Sequence, residues 1–534
     1  MIQKVAITHP CLARVLIVEN DPRARSQLVE VLTRPGYIVR AAEGNGPVLQ
    51  EEAKKLADSF RPHVVVMDLR LVDDEYSADR SGLELLKEKS FSSSRCVLHS
   101  AYLNIDFRVT REAFIEARVA DVIGKEESPR RLIESVEKAA RQDCICCREF
   151  SIVWPETWDE KKVIEVLFGK ISVLPSDTVV DVLGHLFPDA RSVRLEALKG
   201  AAQSSASIFR GRSVLFQAWT DNKEPFVVKL APRDRTAKEV ASYNEFIKDR
   251  LLGRFYAELQ DHKIFWELGG ICYSFMGSSQ KAIDTFASFY QPQKSSAEIV
   301  KPLKHFFEQV WSKHYSNSQQ PLNGSLYSGY DTFLKLSQRL DESQFQEEML
   351  EFAGLPGLHI NPIRWLRDHR EESLILAAKQ AITHGDLHGD NLFIEQEHAW
   401  AIDFERSRQG PILRDFVELE QDIVLRLIRL PAKNLRPLYD LATILCIPSD
   451  PKESFTFSRA QPEKEIYKSL EVIKELRSMA HKLTGYLDMR EYYWGLLFVT
   501  VFTVLLAKKY SKKWWRGLLF GSVLCTRLSN WNVG

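Results

Sequence analysis

From residue 14 to 141 the chain alternates short apolar runs with longer amphipathic stretches. The runs are Arg14–Val18, Tyr37–Ala41, His63–Met67, Arg95–His99 and Val119–Ile123, and most are rich in valine and isoleucine. Runs this short and continuously apolar suit strands buried on both faces. Between them lie helix-like segments. Pro22–Thr33 opens with proline at a first-turn position, and Gly82–Lys89 repeats leucine at helical spacing. Five strands alternating with five helices imply a parallel sheet wrapped by helices.

In a doubly wound sheet, chemistry collects just beyond the carboxyl ends of the strands. Glu19, Asn20 and Asp21 follow the first run, Asp68 the third and Ser100 the fourth, and Lys125 stands just past the fifth. This set suits phosphoryl transfer to a carboxylate, with Asp68 as nucleophile forming an acyl phosphate. Mg²⁺ held by Glu19, Asn20, Asp21, Asp68 and the backbone carbonyl near Arg70 would offset the negative charge. Lys125 would pair with one phosphate oxygen, and the Ser100 hydroxyl would bond another and report the phosphorylated state. The strings VLIVEND, VVVMDLRL, VLHSA and VIGK together resemble the receiver domain of two-component response regulators over about 125 residues. Asn20 stands where that family usually has a metal-binding aspartate, and Glu126 where it usually has proline. The resemblance implies a flavodoxin-like fold over 11–142, a sensor histidine kinase as phosphodonor, and a receiver-mediated dimer as one form of assembly.

At 534 residues, two to four domains are expected. The composition, 45% hydrophobic and 27% charged, is that of an ordinary globular protein. Lys plus Arg and Asp plus Glu both number 72, so no basic surplus points to nucleic acid. The cluster Cys144, Cys146 and Cys147 is too tight to surround a tetrahedral zinc ion, and the eight cysteines read as reduced thiols of a cytoplasmic protein. Tyr492–Ala507 is apolar but short of the roughly 20 residues a bilayer needs, so a buried helix is expected there rather than a transmembrane span.

The strongest local signal is Thr383-His-Gly-Asp-Leu-His-Gly-Asp-Asn-Leu-Phe-Ile394, with Ala401-Ile-Asp-Phe-Glu405 downstream. Two short apolar strands between them would turn the chain back and set Asn391 beside Asp403. Asn and Asp supply hard oxygen ligands suited to Mg²⁺ on ATP phosphates, and Asp386 can orient or deprotonate a substrate hydroxyl. The glycines around His384 and His388 favour a loop over a helical metal pair, with His384 bracing the backbone.

This segment resembles the catalytic loop of protein kinases, and more closely that of the aminoglycoside and choline phosphotransferases. It also resembles the phosphotransferase-like, ternary-complex-associated domains of bacterial conflict systems. The resemblance implies Asp386 as base, Asn391 and Asp403 as magnesium ligands, and Asp415 bracing the loop. It also implies a nucleotide lobe: Lys229 in Phe226–Leu230 for the ATP phosphates, Glu239 (or less readily Glu245) to pair with it, Gly200 in the phosphate-covering loop, and Tyr273 to Met276 as the adenine hinge.

The fold class expected is therefore α/β: a flavodoxin-like doubly wound receiver of five parallel strands, then a two-lobed kinase-like α+β domain. The expected divisions are a receiver over 11–142, a helical connector over 143–190, an N-lobe over 191–285 and a mainly helical C-lobe over 286–534. Two functions remain open. One is an ATP- and Mg²⁺-dependent phosphotransferase acting on a hydroxyl of a small molecule or protein under receiver control. The other is a non-catalytic kinase-fold scaffold.

Overall fold

Valine and isoleucine at alternate positions of β1 (Arg14–Val18) point to opposite faces, and both faces are buried. Leu16 and Val18 join one core with Val65, Met67 and Leu98. Val15 and Ile17 join a second core with Val64, Val66 and Val97. A strand apolar on both sides must be covered by helices on both sides, which selects the doubly wound arrangement.

The computed structural model describes residues 13–73, 75–76, 78–101, 119–143, 150–170, 172, 174–197, 213–221, 225–250, 257–275, 284–373, 377–430, 434–453 and 464–531. After β1 come α1 (Pro22–Thr33), β2 (Ile38–Ala41), α2 (Gly46–Phe60), β3 (Val64–Met67), α3 (Ser81–Leu86), β4 (Arg95–Ser100) and β5 (Val119–Gly124). Helix Pro129–Asp143 follows. The strands form one parallel sheet in the order β2-β1-β3-β4-β5, the flavodoxin-like topology expected. Residues 102–118, where another helix was expected, lie outside those described, as do Cys144, Cys146 and Cys147.

A second sheet of six strands follows: β6 (Ser151–Val153), β7 (Ser192–Ala197), β8 (Val214–Thr220), β9 (Pro225–Pro232), β10 (Leu259–Phe265) and β11 (Leu268–Ser274), in the order β10-β11-β9-β8-β7-β6. The stretch expected to be a helical connector contains two helices, Glu160–Phe168 and Asp177–Leu186. It also supplies β6, which pairs in parallel with β7. Three residues are too few to display a period-2 pattern, so β6 leaves no signature in sequence. Both helices bury Val163, Leu167, Val179 and Leu183 in one core with Phe216 and Val228 of the sheet.

The described residues fall into two compact units. The first lies within Met1–Ala197, Ser205–Ala237 and Leu259–Tyr273, and the second within Leu198–Ser204, Lys238–Glu258 and Ser274–Gly534. Inside the first, the amino-terminal ends of β1 and β3 meet helix Asp177–Leu186 and the β10–β11 turn. His63 Nδ1 accepts the Arg14 backbone N–H at 3.0 Å, so the proton sits on Nε2, which donates to Asp181 Oδ2 at 2.8 Å. Its ring stacks on Phe265 with centroids 5.1 Å apart. The Arg14 guanidinium pairs with Asp177, and Arg61 forms a two-pronged pair with Glu267 while lying over the Trp266 ring.

The second unit is mainly helical. Its longest helices are Lys464–Thr484, Met489–Leu506 and Lys512–Ser529. An antiparallel-rich sheet followed by helices and a hairpin-bearing loop is the kinase-like order of elements expected. Met489–Leu506 is long and apolar enough to cross a membrane by length and composition alone, but 72% of it is buried inside the protein. Its faces meet helices Leu326–Leu334, Arg414–Asp422 and Lys512–Ser529. Among the described residues Cys96, Cys272, Cys446 and Cys525 are buried free thiols.

Two predictions come from this packing. His63→Ala removes a stacked ring, an acceptor and a donor to a buried carboxylate. It should lower stability by about 2–4 kcal/mol in urea unfolding. Glu491, on the membrane-length helix, is buried, and its Oε1 has no partner among the described residues. Burial, aided by the charge of Asp488, pushes its carboxyl up to about 8. The unfolded chain releases this proton near pH 4.5 and the folded chain holds it to about pH 8, so stability falls as pH rises through that window. Glu491→Gln should therefore raise the urea midpoint at pH 9, by an amount worth roughly 3–5 kcal/mol, and leave pH 5 nearly unchanged.

Candidate functional site

At the carboxyl ends of the parallel sheet, strand polarity turns three of the expected side chains, Glu19, Asp68 and Lys125, toward one point. Glu19 and Asp68 are almost wholly buried, and Lys125 reaches both. Its Nζ donates to Asp68 Oδ2 at 2.7 Å and to Glu19 Oε1 at 3.0 Å. Ser100 is buried at the end of β4, and its carbonyl accepts the Lys125 backbone N–H. Burial, then the neighbouring Asp68 charge, pushes the Glu19 carboxyl up to about 7 despite Lys125. Two carboxylates here face the Lys125 ammonium, an oxygen-donor set of the kind a divalent cation takes. Asp21 stands apart: it is exposed, and its Oδ1 caps α1 by accepting from Arg23 N and Ala24 N. Asn20 is half-buried beside Glu19, and Arg70 is buried two residues beyond Asp68. Gly82 is required where α3 meets the site, because a Cβ there would lie 1.8 Å from the Asp68 carbonyl oxygen.

The second constellation lies within the helical unit. Strands Leu392–Glu395 and His398–Ala401 form an antiparallel hairpin with Leu392 opposite Ala401. Ile402 N donates to Asn391 O at 3.0 Å, so Asn391 and Asp403 flank the base of the hairpin. Asp403 adopts a left-handed backbone (φ 70°, ψ 66°), a conformation costly for a non-glycine residue and concentrated at functional turns. Asn391 Nδ2 donates to the Asp386 carbonyl at 2.9 Å, which leaves Oδ1 without a protein partner among the described residues. Asp386 approaches Arg406, with Oδ1 to Nη1 at 3.5 Å. Burial opposes ionisation of Asp386, but Arg406 and His388 outweigh it and hold the carboxyl below its ordinary value.

The loop's backbone is held by carboxylates of helix Arg414–Asp422. Asp415 accepts His384 N and Gly385 N, each at 2.9 Å, and the Tyr315 hydroxyl at 2.9 Å. Glu418 accepts Leu387 N at 2.9 Å, and Asp422 accepts Gly389 N at 2.8 Å. Positions 415, 418 and 422 share one helix face. Arg414 neutralises Glu418 and donates to the Gly385 carbonyl, while Arg426 ties Asp422 to Asp390. Gly385 has φ +78°, and a Cβ there would lie 2.4 Å from the Arg406 carbonyl oxygen. His384 Nε2 donates to the Ile402 carbonyl at 2.9 Å, bracing the backbone as expected. Burial lowers its imidazole pKa, so the ring stays neutral. His388 is half-buried at the loop's edge. Sequence reasoning did not reach Glu418, Asp422, Arg406 or Arg426; acids at i, i+3 and i+7 after Asp415 were the available signal.

Lys229 lies opposite Leu215 inside the six-stranded sheet and is fully buried, which excludes a solvated edge-strand lysine. It and the buried Tyr273 at the end of β11 belong to the first unit. Glu239 is fully buried in the second unit, whereas Glu245 is exposed. The helix bearing Glu239 contacts the turn after Asp403. Ser242 Oγ donates to the Glu405 carbonyl, and the Tyr243 and Phe404 rings stand 5.7 Å apart. Gly200 and Met276 lie outside the described residues. Among the described residues no three His, Cys, Asp or Glu side chains converge to hold a metal by themselves. Mg²⁺ commonly takes one or two carboxylates and fills the rest with water and phosphate, so paired oxygen donors are the set that fits it.

Residues 334–497 match the family model described as ternary complex associated domain 9. The chain is 28% identical over 130 residues to the chemotaxis protein CheY of Thermotoga maritima, a match spanning 24% of this chain and 98% of that protein. Among solved structures it is similar to a response regulator from Thermotoga maritima, at 19% identity over 24% of this chain and 98% of that one, with a TM-score of 0.20. A glucosamine kinase in complex with glucosamine, ADP and inorganic phosphate aligns over 67% of this chain and 83% of its own, at 10% identity and a TM-score of 0.34. The CheY match, the five-strand parallel topology and the Glu19–Asp68–Lys125 cluster agree: the N-terminal domain is a response-regulator receiver domain.

Proposed function

We propose that this chain is a phosphorelay signalling protein whose receiver accepts phosphate on Asp68 and controls an ATP- and Mg²⁺-dependent phosphotransferase acting on a hydroxyl group. The proposed divisions are a receiver over 11–142, a connector over 143–190, an N-lobe over 191–285 and a C-lobe over 286–534. The proposed setting is the cytoplasm, with a sensor histidine kinase as donor. The observation that carries the output reading is the hairpin that seats Asn391 and Asp403 at one base, with Asp386 on the adjoining braced loop.

In the receiver, an Asp68 carboxylate oxygen attacks the phosphorus of a phosphohistidine on the donor. A P–O bond forms as the P–N bond breaks, and the leaving imidazole nitrogen takes a proton from water. Lys125, already 2.7 Å from Asp68, then pairs with a phosphate oxygen, and the Ser100 hydroxyl donates to another. In the output domain, Lys229 and Glu239 would position the nucleotide with Tyr273 and the segments holding Gly200 and Met276. Asn391 and Asp403 would hold Mg²⁺; in the receiver, Glu19 and Asp68 would do so with Asn20 beside them, while the Asp21 carboxylate is engaged in capping α1. When bound, ATP supplies the transferable phosphoryl group and Mg²⁺ offsets its charge. Asp386 would orient the acceptor hydroxyl and take its proton as the new P–O bond forms and the bond from the γ-phosphorus to the departing ADP breaks. Because Arg406 keeps this carboxylate ionised, it is a weak base, suited to a proton released late in transfer.

A second reading, a non-catalytic scaffold that retains a kinase-like loop, draws support from the Arg406 contact with Asp386 Oδ1. ADP release against a panel of hydroxyl compounds separates the two. Asp386→Asn should lower the rate at least about 100-fold, whereas equal and negligible rates in both proteins would favour the scaffold. Acetyl phosphate should label the wild-type receiver and not Asp68→Ala; label retained in that variant would remove Asp68 from the reading. Asp415→Ala strands two buried backbone N–H groups and a tyrosine hydroxyl. It should lower stability by about 3–5 kcal/mol in urea unfolding and reduce ADP release with it.

A further inference from the structure

Where α2 and the short turn Lys89–Phe91 face the β10–β11 turn, the first compact unit contains a cleft of about 630 Å³. That is the size of a small-metabolite pocket. None of its residues belongs to either phosphoryl-transfer constellation.

Some of its charges are already matched. Arg61 pairs with Glu267 and lies 3.7 Å from Asp58, which also accepts the Ser90 hydroxyl. Others are not. Lys89 and Asp234 are exposed and have no ion-pair partner among the described residues. Arg233 bonds Ser93 Oγ at 2.7 Å but pairs with no carboxylate among the described residues. Trp266 is 6% exposed, and its indole nitrogen is shielded from solvent. The cleft therefore offers two unpaired cations against one unpaired carboxylate, beside an apolar wall of Phe168, Pro232 and the Trp266 ring.

We propose that this cleft binds a small zwitterionic metabolite of the amino-acid class. Lys89 and Arg233 take its carboxylate, Asp234 takes its ammonium, and the apolar wall takes its side chain. A purely anionic ligand would leave Asp234 opposing it, and a simple amine would leave Lys89 and Arg233 unused. The cleft joins residues of the receiver to Pro232, the last residue of β9, the strand that carries Lys229. Occupancy would tighten that joint. This inference does not rest on catalysis by the output domain.

The test is thermal unfolding and calorimetry of the full chain against the twenty L-amino acids at millimolar concentration, with acetate and ethylamine as single-charge controls. At least one amino acid should raise the unfolding temperature by about 2 °C or more, as a ligand specific for the folded state does. Lys89→Ala and Asp234→Asn remove exposed, unpaired groups, so both should fold, and each should weaken binding at least tenfold. Three outcomes would overturn the proposal. They are no shift with any amino acid, equal shifts with acetate alone, and binding undiminished in both variants.

Discussion

The loop from His384 to Asn391 keeps its shape because one helix presents three carboxylates to its backbone. Asp415, Glu418 and Asp422 each accept backbone N–H groups that burial would otherwise leave unsatisfied. Hydrogen bonds to ionised acceptors are about twice as strong as neutral ones. Buried carboxylates would be costly alone, and Arg414 and Arg426 offset them at salt-bridge distance. Burial still raises the Glu418 carboxyl, while Arg426 outweighs burial at Asp422 and lowers it. Asn391 and Asp403 can then meet at the hairpin base, because the loop preceding them cannot drift.

The receiver depends on the same economy of buried charge. Parallel strands end at one edge of the sheet, so residues 49 apart in sequence, Glu19 and Asp68, become neighbours, and Lys125 closes the group from β5. The opposite edge serves another purpose. There the strand starts carry Arg14 and His63 into contact with Asp177, Asp181 and Phe265. Strand β3 spans the two edges, with Asp68 just beyond one end and His63 just before the other. Only four residues separate Asp68, the proposed phosphoacceptor, from a packed joint. That is a short path for a rigid element to transmit a displacement.

Much of this was legible in the residues. Strands β1 to β5 were readable because double-sided burial demands unbroken apolar runs, and their polar followers marked the receiver cluster. The hairpin joining Asn391 to Asp403 was readable from two short apolar strands with a turn between them. Asp21 was not readable as a helix cap, since an acid after a strand and before a proline fits a ligand and a cap equally well. Strand β6 was too short to declare itself. Arg406 and Arg426 lay in no motif, because an ion pair needs nearness and not spacing.

By itself the sequence determined the strand–helix rhythm, the identities of the groups at the strand ends, and the chemistry a loop with Asp386, Asn391 and Asp403 can perform. These are local properties, set by periodicity and side-chain type. The tertiary structure alone decided which carboxylates face which cations, that Lys229 is buried rather than solvated, and that His63 meets Asp181 across 118 residues. Those outcomes depend on desolvation and on distance between groups remote in the chain, and neither is written into neighbouring residues.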